Sequence, residues 1–361
     1  MTNRYTEYKN RFFAAANGAE GFKSYFDDIF PSDKMEGVFI LKGGPGTGKS
    51  TLLGEIAKRF KCPDIEVEIF HCSSDPASLD GVLLTRGEKS ACILDGTAPH
   101  ERDAILPGAV DEIVNLGAFF DEGLLRRKKE EILSLQRKKG LAYKEAYFYL
   151  GLFGIFEEKT MAETKGRIDQ NAAKAWVDTF FPKRKNITDG TSFVPRPIRA
   201  FCKDGTVRLD SYEKMAERTI RIHGDPMECG VLLSLLKQHL CAHGYGGYYA
   251  PSPFVASLTD GLFLKEEKTA VTLSCEGERC DICAEDFFKK RDSASAEEAA
   301  AYRAEGDRFL TAARNALSSA SLYHFALEKI YTPAMHFDRL MPIREALFGR
   351  IASLLGLTEF S

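Results

Sequence analysis

Residues 43–51 read GGPGTGKST, and those types in that order suit the holding of a polyphosphate. Gly43 to Ser50 fit the pattern G-x-x-x-x-G-K-[ST]. Gly44, Gly46 and Gly48 permit backbone angles that turn successive N–H groups inward on phosphate oxygens, and a helix starting just beyond adds partial positive charge. Lys49 is expected to reach the β- and γ-phosphates and Ser50 to bind Mg²⁺. The expected nucleotide-binding set is Gly43, Gly44, Pro45, Gly46, Thr47, Gly48, Lys49, Ser50 and Thr51.

A Mg²⁺ site also needs an acidic group at the end of a neighbouring strand. In KSACILDGTAPH, Ala91 to Leu94 read as a buried strand, and Asp95 emerges at its C-terminal edge, where α/β sheets bind ligands. Asp95 is therefore the expected second metal ligand beside Ser50. The next residue is Gly96 and not a glutamate that would activate water, which argues against fast hydrolysis. After a strand at Glu66 to His71, a polar loop offers His71, Asp75, Ser78 and Asp80. Asp75 or Asp80 has the chemistry to orient an acceptor hydroxyl or a bridging water, and equally to cap a turn or a helix. The loop GTAPHERD brings His100, Glu101 and Asp103 toward the same end, with His100 as a sensor or base. Lys49, Asp95 and His100 form the expected catalytic set.

The elements that must position these residues are a strand at Val38 to Leu41 and a helix at Thr51 to Phe60. They imply an α/β, P-loop NTPase fold with a mostly parallel sheet flanked by helices. The chain repeats itself. RIHGDPMECGVLL at 221–233 sets Gly224 opposite Gly43, Pro226 opposite Pro45 and Leu233 opposite Leu52 at one constant offset. ASLDGVLL is echoed by ASLTDGLFL, and EKSACILD by EKTAVTLS. Residues 11–26 parallel 199–212, each expected to form a hairpin, around Asn17-Gly18 and Asp204-Gly205. Several blocks in one order point to a tandem duplication. On this register Lys49 faces Gly230, Ser50 faces Val231, Asp95 faces Ser274 and Thr47 faces Glu228, so the second copy lacks the phosphate chemistry. Charged helical stretches follow each unit, at 110–181 and 285–355. The expected domains are 1–190 and 191–361, with the boundary near the polar segment 182–197.

The rest of the sequence narrows the partners. A net charge of −3 gives no global electrostatic reason to bind nucleic acid or an anionic membrane. The longest apolar run, Ala146 to Phe156, is shorter than the roughly 20 residues that span a bilayer. With an N-terminus unlike a signal peptide, this reads as cytoplasmic, and the 9 cysteines as reduced thiols. Cys275, Cys280 and Cys283 have C-x4-C-x2-C spacing, which metal sites use, and a loop of reduced thiols is the simpler expectation. The basic cluster Arg126, Arg127, Lys128, Lys129, Arg137, Lys138 and Lys139 interleaves with Glu130 and Glu131, as on a solvated helix. The aromatic run from Tyr143 to Phe156 carries apolar residues on every helical face. It is expected to be buried between helices or to contact a second copy in a homo-oligomer.

With GGPGTGKSTLL, HCSSDPASLDG and DGTAPH in this order, followed by a decayed second copy, the sequence resembles a family of uncharacterised bacterial tandem P-loop ATPase-like proteins over nearly its whole length. The resemblance implies an additional-strand type P-loop core with helical arms, ATP as ligand, and nucleotide motifs at Gly43 to Thr51 and Asp95. Members can keep a nucleotide motif in the second half, and this chain departs there. Three functions fit. One is a Mg²⁺-dependent ATPase whose occupancy changes the relation between the halves. Another is a small-molecule kinase using Asp75 or Asp80, and the third a nucleotide-gated protein whose arms hold a partner with negligible turnover.

Overall fold

The computed structural model describes residues 5–184, 192–274 and 280–357. In the first half the apolar runs form β1 (Arg11–Phe13), β2 (Ala15–Gly18), β3 (Gly21–Ser24), β4 (Gly37–Lys42), β5 (Glu66–His71), β6 (Leu79–Arg86), β7 (Lys89–Asp95) and β8 (Asp111–Asn115). Six of them make one sheet in the order β1-β5-β6-β7-β4-β8. The pairings β1–β5, β7–β4 and β4–β8 are parallel, whereas β5–β6 and β6–β7 are antiparallel. The sheet is thus mixed: β6 alone runs against the other five strands, because β5, β6 and β7 follow one another through short connections that allow only antiparallel neighbours. β7, ending in Asp95, lies directly beside β4. The interposed strand of an additional-strand core is not there.

The second half repeats this plan strand for strand. It contains β9 (Phe193–Pro195), β10 (Arg199–Cys202), β11 (Gly205–Arg208), β12 (Arg218–His223), β13 (Gly247–Pro251), β14 (Thr259–Leu264), β15 (Thr269–Leu273) and β16 (Ile282–Cys283). Their order is β16-β12-β15-β14-β13-β9 with the same alternation of parallel and antiparallel pairs. Even the bulge between Phe70 and His71 recurs between Ala250 and Pro251. The hairpins β2–β3 and β10–β11 also correspond, but the turns fall elsewhere than expected. They lie at Ala19-Glu20 and Lys203-Asp204, each closed by a glycine of positive φ, Gly21 at +94° and Gly205 at +96°. Asn17 is instead buried, donating from Nδ2 to the carbonyls of Ser73 and Phe201.

The helices of the first half are α1 (Phe26–Ile29), α2 (Lys49–Arg59), α3 (Glu122–Arg127), α4 (Lys129–Arg167) and α5 (Gln170–Phe180). The second half adds α6 (Ser211–Met215), α7 (Pro226–Ala242), α8 (Ser293–Tyr331) and α9 (Met341–Leu354). The helical arms begin later than expected, at 122 and 293, because residues 111–115 extend the sheet as β8. α4 and α8 pack along one another through small residues, among them Ala142, Ala146, Ala313 and Gly306, whose Cα faces the Phe153 ring.

Each arm then delivers its last helix to the opposite half. Ala173, Val177 and Phe181, in and just after α5, pack with Leu232 and Leu236 of α7. Leu347, Phe348, Ile351 and Ala352 of α9 cover Leu52, Leu53 and Ile56 of α2. Matching backbone clamps hold the exchange: Asp121 N to Ala334 O at 2.7 Å and His336 N to Phe119 O at 2.9 Å, against Lys289 N to Arg167 O at 2.9 Å and Asp169 N to Phe287 O at 2.7 Å. Between the two sheets lies a shared aromatic core that includes Phe12, Phe30, Phe70, Tyr212, Tyr248 and Phe263. A buried ion pair, Arg196 Nε to Glu68 Oε2 at 2.6 Å, crosses the same seam.

The aromatic run on α4 is buried on one side only. Ala146, Leu150 and Phe153 face inward, whereas Phe148 and Ile155 are 62% and 53% exposed. The basic cluster is solvated near its start, with Arg126–Glu122 and Lys128–Glu131 pairs at 3.0 Å. Among the described residues no helix is long and apolar enough to cross a membrane.

Candidate functional site

β4 ends at Lys42, residues 43–48 form a wide turn, and α2 begins at Lys49. Gly46 and Gly48 take φ values of +71° and +83°, which explains glycine at those two points. The Lys49 ammonium curls back over the turn, donating to Gly43 O at 2.9 Å and Gly44 O at 3.1 Å, and lies 3.6 Å from Asp95 Oδ2. Thr47 is buried and donates to Gly44 O at 2.9 Å. Gly48, at the N-cap of α2, brings no side chain to its first-turn N–H groups, which leaves them to an anion. Thr51, three residues into α2, is exposed. The outer face of the turn is covered by the end of the other half's arm. A Cβ on Gly44 would meet Tyr331 and Phe120, and one on Gly46 would stand 2.3 Å from Thr332 Oγ1.

The carboxylates gather beside this turn. Asp95 Oδ1 accepts from Thr97 N at 2.9 Å and Thr97 Oγ1 at 2.6 Å, leaving Oδ2 toward Lys49. Ser50 Oγ accepts from Leu79 N at 2.9 Å, so its second lone pair remains for a ligand. The next residue along β6, Asp80, is buried, and Asp80, Asp95 and His100 present ligand atoms within 4.8 Å of one another. His100 packs against Phe26 with ring centroids 5.1 Å apart, and its Nε2 lies 3.8 Å from Asp80 Oδ1. Burial pushes the Asp80 carboxyl up to about 6, with Asp95 adding repulsion and His100 pulling the other way. An oxygen-rich set from Ser50, Asp80 and Asp95 suits a hard cation such as Mg²⁺. A carboxyl titrating near neutrality suits proton transfer. The uncapped helix and the two left-handed glycines suit the phosphates of ATP.

Other sequence candidates lie apart. Asp75 turns to the second half and pairs with Lys203 at 3.1 Å, so only Asp80 of the two acceptor candidates faces the site. His71 donates from Nδ1 to Pro76 O at 2.8 Å, and burial lowers its pKa to about 4. Asp103 is exposed and pairs with Lys42 at 3.2 Å. Buried Arg102 fixes that loop by donating to Phe26 O and Phe30 O. Cys275 lies outside the described residues; Cys280 and Cys283 are free thiols.

The sequence reading missed Thr97 and the arm residues Lys139 and Tyr143. Tyr143 lies beside Ser74 in the loop leading to Asp80, and Lys139, one turn earlier, lies close enough to Lys49 to feel its charge. The signal was present as helical spacing. The inward stripe of half-buried Tyr143 and buried Ala146, Leu150 and Phe153, carried back one turn, lands on Lys139.

The second half fills the corresponding space. β14 begins with Thr259 as β6 begins with Leu79, opposite Pro251 and His71 respectively. Thr259 N donates to Ser234 Oγ at 3.0 Å, as Leu79 N does to Ser50. Ser234, and not Val231, is thus the counterpart of Ser50, which corrects the constant-offset register and places Leu233 where Lys49 stands. α2 starts at Lys49, one residue before its serine, and α7 at Pro226, eight residues before Ser234. The extra helix, roughly 10 Å at 1.5 Å per residue, projects into the region that the wide turn encloses in the first half. Its N-cap Asp225 accepts from Met227 N at 2.8 Å, and Glu228 is bound by Arg167 at 2.7 Å. Asp260, the counterpart of Asp80, is taken by Arg199 through bonds of 2.7 and 2.9 Å.

In comparison with known proteins, no family model, no curated protein and no solved structure matches this chain.

Proposed function

We propose that the first half binds Mg²⁺-ATP at residues 43–51 and hydrolyses it slowly, with the arms responding to occupancy, in the manner of a tandem P-loop ATPase. One observation carries this reading. The Lys49 ammonium lies over the carbonyls of Gly43 and Gly44, 3.6 Å from Asp95, at the head of a helix without a side-chain cap. In this reading the N–H groups of the turn and Lys49 hold the β- and γ-phosphates, and Ser50 and Asp95 hold the metal. Mg²⁺ bound there supplies charge neutralisation on the phosphate oxygens. Asp80 takes the proton of the attacking water while the bond from the γ-phosphorus to the bridging oxygen breaks and ADP leaves. His100, 3.8 Å from Asp80, steadies that carboxylate. Gly96 supplies no further carboxylate after Asp95, consistent with slow turnover.

The close packing of Tyr331 and Thr332 on the turn supports a route from nucleotide to arm. Titration calorimetry with Mg²⁺-ATP, alongside turnover of purified protein without added metabolite, tests the proposal. Wild-type protein is expected to bind and to release phosphate, and Lys49→Ala to lose at least about 100-fold in turnover. Unchanged binding and turnover in Lys49→Ala overturns the site, and ATP consumption only with an added acceptor turns the reading to a kinase.

A further inference from the structure

α4 and α8 correspond by rank along their length. Each has 39 residues. Directly after α4, Ile168 bridges Phe288; Met335, which bridges Phe120, stands three positions later by rank, after the turn at Thr332–Ala334 that follows α8. Midway, Gly154 of α4 closes on Ala19 in the β2–β3 turn, and Ser318 of α8 donates 2.9 Å to Lys203 O in the β10–β11 turn. Gly154 and Ser318 stand equally far from the starts of their helices at Lys129 and Ser293. So do Lys139 and Arg303.

In the second half that position has a defined task. Arg303 donates to Asp225 Oδ2 at 2.5 Å, and Arg291 lies 3.7 Å from the same oxygen, while the other carboxylate oxygen accepts from Met227 N. An anion at the head of a helix is therefore gripped from the arm. In the first half the wide turn of residues 43–48 replaces the stretch of α7 that carries this carboxylate, and the arm offers Lys139. Tyr143, one turn along, lies beside Ser74, and Tyr147 donates 3.0 Å to Asn17 Oδ1, which fixes this stretch of α4 against the site. Lys139 makes no ion pair among the described residues. Burial first, and Lys49 second, lower its pKa. Two partly desolvated ammonium groups near one another are favoured by an anion between them.

We propose that Lys139 is the arm's contact with the terminal phosphate of the bound nucleotide, doing for ATP what Arg303 does for Asp225. This rests on the reading of residues 43–51 as an ATP site. It makes the arm selective: a triphosphate reaches Lys139 and a diphosphate does not. When the γ-phosphate leaves, α4 loses an anchor at one end of a helix whose other end clamps the second half.

The test is calorimetric affinity for a non-hydrolysable ATP analogue and for ADP, both with Mg²⁺, in wild type, Lys139→Ala, Lys139→Gln and Lys139→Arg. Melting curves establish that each variant folds. Lys139→Ala and Lys139→Gln are expected to weaken the triphosphate about tenfold or more and to leave ADP within about twofold, and Lys139→Arg to retain most of the preference. An unchanged ratio of the two affinities in both neutral variants overturns the contact and leaves the ATP site standing. Wild-type protein that binds neither nucleotide overturns both.

Discussion

Two strand–turn–helix units with one ancestry in plan differ in what fills the head of the helix. Between β4 and α2 lie residues 43–48, and between β12 and α7 only residues 224–225. The longer connection bows out and leaves N–H groups unclaimed. The shorter one lets the helix start earlier and brings its own carboxylate, Asp225, to the cap. The same contrast holds one strand over: buried Asp80 pairs with no arginine among the described residues, and buried Asp260 has Arg199, standing where the first half has Ala15. An α/β core needs the strand, the turn and the apolar helix face. It does not need an open turn, and in the second half the chain pairs Asp225 and Asp260 internally.

The sharpest way to break this comparison is Gly46→Ala. Its φ of +71° and the 2.3 Å approach to Thr332 Oγ1 leave no room for a Cβ. The change is expected to destabilise by about 2–4 kcal/mol and to abolish nucleotide binding, read by melting and calorimetry. A variant that melts and binds as wild type would refute the packing of the arm on the turn.

A smaller effect, of different size in the two halves, separates Asp80 from Asp260. The fold raises Asp80 from 3.8 to about 6 through burial, so ionising it destabilises the folded protein progressively as pH rises between those values, with the full cost present above 6. Asp80→Asn should therefore raise the melting temperature above pH 6, by up to about 3 kcal/mol of stability, give no gain below pH 3.8, and lower turnover. Burial raises Asp260 as well, but less, because Arg199 offsets part of it, so Asp260→Asn should gain less stability than Asp80→Asn above pH 6. Equal shifts from both variants would erase the distinction.

The smallest test is Gly230→Ala. This residue sits within α7, and an added Cβ meets only ordinary contacts, the nearest at 3.6 Å from Leu258. A gain of about 0.5–1 kcal/mol in denaturant unfolding is expected from helix propensity. Nucleotide binding in the first half should not change, and a loss of stability would show that α7 has no room for a methyl against Leu258.

The repeats carried much of this in the sequence. The strands at Glu66 to His71 and Ala91 to Asp95, and the turn before Lys49, are local patterns set by apolar runs and glycine, so they were legible. The direction of β6 was not, since an apolar run does not say whether its neighbour is parallel. Nor was the true register of α7, because Leu232, Leu233 and Leu236 satisfy a helical face under more than one alignment. Only the shared hydrogen bond at Ser50 and Ser234 decides it. Asp80 and Asp75 looked alike as loop carboxylates, and the difference came from Lys203, far away in the chain. Lys139 was hidden in a basic cluster whose other members face water.

The crossing of the last helices has a consequence for what counts as the folding unit. Neither half closes its own core: α2 depends on α9 and α7 on α5. A chain cut between the halves would leave Leu52, Leu53 and Ile56 uncovered on one fragment and Leu232 and Leu236 on the other. The geometry is that of a domain-swapped, two-fold dimer written on a single chain, with each protomer's tail completing its neighbour. Covalent linkage makes that exchange independent of protein concentration. It also keeps each half indispensable to the core of the other.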